Sequence, residues 1–125
     1  MNDSSRRPAM ALTFRALGRA LARAAYDKKA EEIVLLDVRK QSPVTEYMLI
    51  ATVNSAPHLE AVEDAVRNAG RELRCPPLRR ARPASDSWRV LDFGGVMVHL
   101  MTAPARELYA LERLHDDAKA VAWRS

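Results

Sequence analysis

Glycine, cysteine and aromatic residues are all scarce in this chain: of 125 residues, four are glycine, one is cysteine and 6% are aromatic. With Cys75 as the sole thiol, an internal disulfide and a cysteine-based zinc cluster are excluded. One inert thiol suits a reducing, cytoplasmic setting. Four glycines at positions 18, 70, 94 and 95 make no phosphate-cradling loop. No apolar run approaches the roughly 20 residues that span a bilayer. No paired-acid metal motif is present, and no Ser, Cys or Lys stands in a recognisable nucleophile setting. The opening MNDSSRRPAMA lacks the apolar stretch of a secretory signal, and Asp3 speaks against a transit peptide. Residues 1–11 are expected to be a disordered tail, and residues 12–123 one domain with one core.

The charge is uneven. The net value is +4, and the stretch from Arg71 to Arg89 alone sets six arginines (71, 74, 79, 80, 82 and 89) against Glu72 and Asp86. Contact with a polyanion and a solvated arginine-rich face both fit that excess. Stacking aromatics are not interleaved with it, so a platform for single-stranded RNA has little support.

Apolar periodicity predicts the elements. Phe14, Leu17, Leu21 and Ala25 recur at helical spacing within residues 12–30. IVLLDV (33–38) and YMLIATV (47–53) read as strands buried on both faces, with the Ser42-Pro43 turn between them. Ser55 is a plausible N-cap, with Pro57 in the first turn and Leu59, Val62, Val66, Ala69 and Leu73 as the inward stripe. CPPLRRARPASDS (75–87) reads as a connection with one short edge strand near 78–82. Pro104 opens a last helix, with Leu108, Leu111 and Leu114 on one side and Arg106, Glu112 and Arg113 on the other. Residues 116–125 are expected to be a frayed extension. Strands following one another without a full helix between them imply a single α/β domain with a mixed sheet and flanking helices.

The hairpin WRVLDFGGVMVHLM (88–101) is the most informative stretch. A two-residue Gly94-Gly95 loop sets Leu91 opposite Val98 and Arg89 opposite Leu100, so Leu91, Phe93, Val96, Val98 and Leu100 form a core face. The other face holds Trp88 opposite Met101, Val90 opposite His99, and Asp92 opposite Met97. Two readings fit an apolar surface carrying one acid and one imidazole. Either a further layer of this chain covers it, or another molecule does; Trp and Met are enriched at interface centres.

Catalytic signals are thin. Asp37 and Asp92 sit near strand ends, and His99 shares a face with Asp92, so acid–base work by these three is a candidate chemistry. His58 and His115 stand at helix positions where solvated side chains are usual. The helix start at Asn54-Ser55 is read as ordinary capping rather than an anion site.

Four stretches in order, DKKAEEIVLLDV (27–38), EYMLIATVNS (46–55), WRVLDFGGVMVHLM and RELYALERL (106–114), resemble the ribosome silencing factors, the Iojap-like family, over residues 20–117. The resemblance implies a mixed sheet of about four to five strands with nucleotidyltransferase-like topology but without the catalytic acids, and hence no enzyme activity and no cofactor. It implies a translational repressor that binds the large ribosomal subunit through its protein number fourteen. Docked there, it would block subunit joining under nutrient limitation; some members form homodimers. The family's Trp, Asp-aromatic, glycine turn and strand-ending His match Trp88, Asp92, Phe93, Gly94 and His99. On that match, Trp88, Val90, Asp92, Met97, His99 and Met101 are expected on or beside an open docking surface. Trp88 would be its anchor, with Tyr109 and Glu112 flanking. Three departures stand out: Ala81-Arg82 replaces a usual Glu-Gly, Gly95 an acid, and His115 a tryptophan. Arg79, Arg80 and Arg82 are therefore candidates for ribosomal RNA contact. The rivals are a small nucleotidyltransferase-like enzyme using Asp37, Asp92 and His99, and a basic RNA-binding protein.

Overall fold

The computed structural model describes residues 12–80 and 85–124, with the side chains of Arg79 and Arg80 left undescribed. The expected tail (1–11) and the positions Ala81 and Arg82 lie outside the described residues. Helix α1 (Phe14–Asp27) starts where Thr13 caps it, its hydroxyl accepting from the amide of Ala16. Strands β1 (Glu31–Asp37) and β2 (Tyr47–Val53) follow, then α2 (Ala56–Glu72). Ser55 caps α2 by accepting from the His58 amide, and Pro57 occupies its first turn, as its sequence predicts. A two-residue strand β3 (Arg79–Arg80), the hairpin β4 (Trp88–Asp92) and β5 (Val96–Thr102), the short helix α3 (Ala103–Tyr109), a 3₁₀ turn (Leu111–His115) and strand β6 (Lys119–Ala120) complete the chain.

The sheet runs β3-β4-β5-β2-β1-β6. β2 and β5 are parallel, and the other pairs are antiparallel. The expected mixed sheet is therefore present, with six strands rather than four or five because both edges carry two-residue strands. The parallel pair requires a crossover, which α2 and β4 supply between β2 and β5. The hairpin register matches the sequence reading pair for pair, from Trp88 opposite Met101 to Asp92 opposite Met97. Gly94 holds φ 87°, the left-handed region that a two-residue turn needs at its first position. Gly95 serves differently: a Cβ there would lie 2.2 Å from the Phe14 ring.

Two apolar layers flank the sheet. On the front, α1 and α2 bury Leu17, Leu21, Leu59, Val62 and Val66 against Leu35, Leu49, Leu91, Phe93, Val98 and Leu100. Gly70 lets the end of α2 approach the Phe93 ring, where a Cβ would come within 2.5 Å. Of the predicted inward stripe, Leu73 instead emerges partly at the surface. On the back, Leu36, Val38, Met48, Ile50, Met101 and Ala105 form a second cluster. β1 thus feeds both layers, though Ile33 and Val34 are half-covered rather than sealed.

The C-terminal segment departs from expectation. Residues 116–125 were expected to fray. Instead, Lys119 and Ala120 pair with Asp37 and Leu36, and the Val121 amide donates to the Leu35 carbonyl. Val121 and Trp123 are buried in the front core. The Trp123 indole donates to the Ile33 carbonyl at 3.3 Å, and the Arg124 guanidinium lies 5.1 Å from the Tyr26 ring centre. The reason is edge chemistry: β1 needs a partner on its outer side, and this segment supplies backbone pairing together with a large apolar side chain.

Candidate docking face

The last helix is where sequence periodicity and structure part most. A continuous helix to about residue 114 would keep Leu108, Leu111 and Leu114 on one side. Instead α3 ends at Tyr109, because Ala110 takes a left-handed conformation (φ 46°, ψ 51°) and its amide closes on the Arg106 carbonyl at 2.9 Å. Ala105 and Arg106 are the buried residues of α3, while Leu108 is 75% exposed and Leu114 71% exposed. Leu111 alone of the three packs against the back cluster.

Arg106 accounts for this rotation. β1 carries a bulge in which Glu32 has φ 48°, and the Glu32 carbonyl accepts from Nη1 of Arg106. The same nitrogen donates to Oγ1 of Thr52 at 2.8 Å. Nη2 and Nε donate to Oε2 of Glu112 at 2.7 and 3.1 Å. A guanidinium buried with this many acceptors anchors α3 to the ends of β1 and β2. The opposite side of a two-turn helix, bearing Leu108, is then left in water.

The expectation that Met101 stands open is corrected, and Trp88 is only half open. Met101 is fully buried beneath α3 and its neighbours, and His99 is 8% exposed. Neither can offer a partner much surface. Trp88 is half-buried: its ring lies 4.6 Å from that of Tyr109 and 5.9 Å from that of His99. Val90, Asp92 and Met97 are also half-buried. Asp92 spends one oxygen on the Gly94 amide at 2.8 Å, which tightens the hairpin turn. Tyr109 is 51% exposed beside Trp88. Glu112, expected to flank the surface, ion-pairs with Arg106 at 2.7 Å and stays partly exposed.

What remains is a sheet face on which Trp88, packed on Tyr109, supplies apolar area and Asp92 an acid, with Leu108 and Leu114 exposed on α3 and the turn after it. Sequence reasoning missed the two leucines. No local signal marks them, because the acceptors that bury Arg106 lie at Glu32 and Thr52.

The back face also holds a shifted imidazole. Burial, and secondarily the charge of His115, lowers the His99 pKa to about 4. Asp37 is lowered as well, chiefly by its hydrogen bond from Arg39, whose guanidinium donates to it at 2.7 and 2.9 Å. Asp37, Asp92 and His99 do not assemble. Asp37 shares strand parity with front-face Leu35, whereas Asp92 and His99 lie on the back. β2 and β5 separate Asp37 from Asp92, a distance of about 14 Å at sheet spacing. His58, expected to be solvated, is tied at both nitrogens, Nδ1 accepting from the Asn54 amide at 3.0 Å and Nε2 lying 2.8 Å from the Lys28 carbonyl. Among the described residues no three His, Cys, Asp or Glu side chains converge as a metal site, and no helix is long and apolar enough to cross a membrane. Arg79 and Arg80 form the edge strand β3.

Comparison with known proteins gives one consistent outcome. The family model described as "Ribosomal silencing factor during starvation" matches residues 11–124. The ribosomal silencing factor RsfS of Treponema pallidum is 37% identical over 102 residues, covering 78% of this chain and 88% of that protein. A mouse protein named "Mitochondrial assembly of ribosomal large subunit protein 1" is 30% identical over 90 residues, covering 70% of this chain and 40% of its own length. A crystal structure of a Chromobacterium violaceum protein superposes with a TM-score of 0.80 at 23% identity, covering 91% of this chain and 94% of that one. This last likeness concerns the fold.

Proposed function

Since the chain belongs to the family of ribosomal silencing factors, we propose that it represses translation by docking on the large ribosomal subunit, through that subunit's protein number fourteen. Bound there, it sterically blocks joining of the small subunit when nutrients are scarce. The observation that carries this reading is the half-exposed Tyr109 ring lying 4.6 Å from the half-buried Trp88 ring, on a short helix whose Leu108 is left in water. Exposed aromatic rings packed on one another are the kind of anchor that protein interfaces favour. The partner class draws support from the mouse relative, whose name speaks of assembly of the large ribosomal subunit. Asp92 adds an acid suited to a basic ribosomal protein. Separation of Asp37 from Asp92 and His99 favours this binding role over the enzymatic alternative.

Co-sedimentation with purified large subunits tests the proposal, with subunit joining followed by light scattering. The wild-type chain should travel with large subunits and slow joining. Trp88→Ala should weaken co-sedimentation by about tenfold, as expected for an aromatic anchor. Full binding by Trp88→Ala and by Leu108→Glu alike would remove this face from consideration.

A further inference from the structure

The His99 imidazole is largely sealed on the back of the sheet, yet its Nδ1 lies 3.1 Å from the indole nitrogen of Trp88. An indole nitrogen can only donate. Nδ1 must therefore be the unprotonated ring nitrogen, with the imidazole proton on Nε2. The contact runs diagonally across the hairpin, because His99 opposes Val90 and Trp88 opposes Met101. The indole is thereby held from two sides: His99 at 5.9 Å and 40° between planes, Tyr109 at 4.6 Å and 41°. A side chain already fixed in one orientation loses less freedom when a partner covers it.

We propose that His99 is a positioning residue for the docking face: its Nδ1 accepts the Trp88 indole N–H and holds that ring against Tyr109 in the orientation the ribosomal partner receives. This rests on the docking role proposed above and deepens it. His99 acts through Trp88 rather than by touching the partner. Burial keeps the imidazole neutral, so the acceptor is always present under physiological conditions.

Two variants separate acceptor from bulk. His99→Leu keeps an apolar side chain without an acceptor, and His99→Asn returns an amide oxygen near the place of Nδ1. The full chain has two tryptophans, so a ¹⁵N-labelled sample gives two indole N–H resonances, assigned with Trp88→Phe. Trp123 donates to the Ile33 carbonyl and packs in the front core, away from His99, so its resonance reports folding in every variant. In His99→Leu, the Trp88 indole proton should exchange with water about tenfold faster and large-subunit affinity should fall about tenfold, the scale of one lost hydrogen bond. The Trp123 signal should stay in place. His99→Asn should recover most of both. An unmoved Trp88 resonance in His99→Leu overturns the positioning contact. A moved resonance with full affinity overturns its part in docking. Trp88→Ala distinguishes the two proposals: wild-type binding by that variant defeats the docking reading itself, whatever the indole signal does.

Discussion

Glu63 on α2 and Arg89 on β4 meet inside the molecule, carboxylate Oε1 accepting from guanidinium Nη1 at 2.5 Å with both side chains nearly sealed from water. The second carboxylate oxygen accepts from Arg67 at 2.7 Å, and Nε of Arg89 donates to the Ser85 carbonyl at 2.8 Å. Ser85 in turn hydrogen-bonds the Trp88 amide at 3.1 Å. One buried ion pair therefore links α2, the turn before β4 and the start of β4 itself.

Removing one partner of that pair should be severe. Glu63→Ala leaves Arg89 buried without its main counter-charge and should destabilise the fold by about 3–5 kcal/mol in urea unfolding. The double variant Glu63→Leu/Arg89→Met, which removes both charges, should lie closer to wild type than Glu63→Ala. A loss below about 1 kcal/mol for Glu63→Ala would mean the pair is replaced by solvent.

Stability should depend on His99 in a defined pH window. The folded-state pKa of about 4 lies below the ordinary 6.5, so the unfolded chain takes up this proton first. Stability is then full above about pH 6.5 and falls as pH drops toward 4, by up to about 3 kcal/mol. The loss tied to Asp37 falls lower, below the ordinary carboxylate range, because its pKa is also depressed. Unfolding free energies of wild type and His99→Leu, measured from pH 7 to about pH 4.5, should converge as pH falls. Parallel curves would exclude His99 as the cause.

Ala110 pays for its left-handed backbone. Ala110→Gly should stabilise the fold by about 0.5–1 kcal/mol, the relief of a Cβ clash less the added freedom of the unfolded chain. Thermal unfolding checks this. A destabilised Ala110→Gly would show that the methyl group packs more favourably than its conformation costs.

Leu108 and Leu114 should separate binding from stability. Leu108→Ser and Leu114→Ser should each alter unfolding free energy by less than about 0.5 kcal/mol, since both side chains are already in water. Together they should weaken co-sedimentation with large subunits by about tenfold. Marked destabilisation would instead place these leucines in the core.

Most of the fold was legible in local pattern. The apolar run 47–53, the Ser55 cap with Pro57, and the Gly94-Gly95 turn each name their structure through nearest neighbours. The hairpin register followed from a loop length of two, since strand parity leaves no freedom once the turn is set. The candidate docking face was legible in part. Trp88 and Asp92 share the face opposite Leu91, as the hairpin reading has them, but that face was taken to be open and Met101 is buried there.

Composition and spacing in this chain were enough to specify a mixed sheet, its hairpin pairing and the front core, because backbone turns and side-chain alternation act over a few residues. Tertiary contacts decided the rest. Arg106 found its acceptors at Glu32 and Thr52, far away in the chain, and so rolled α3 until Leu108 faced water. Trp123 likewise found Ile33 of β1 across 90 residues of sequence, and Lys119 paired with Asp37 of the same strand. A cation's buried partners and a strand's missing neighbour lie outside any local window, so helical spacing alone grouped Leu108 and Leu114 with Leu111, which the fold separates.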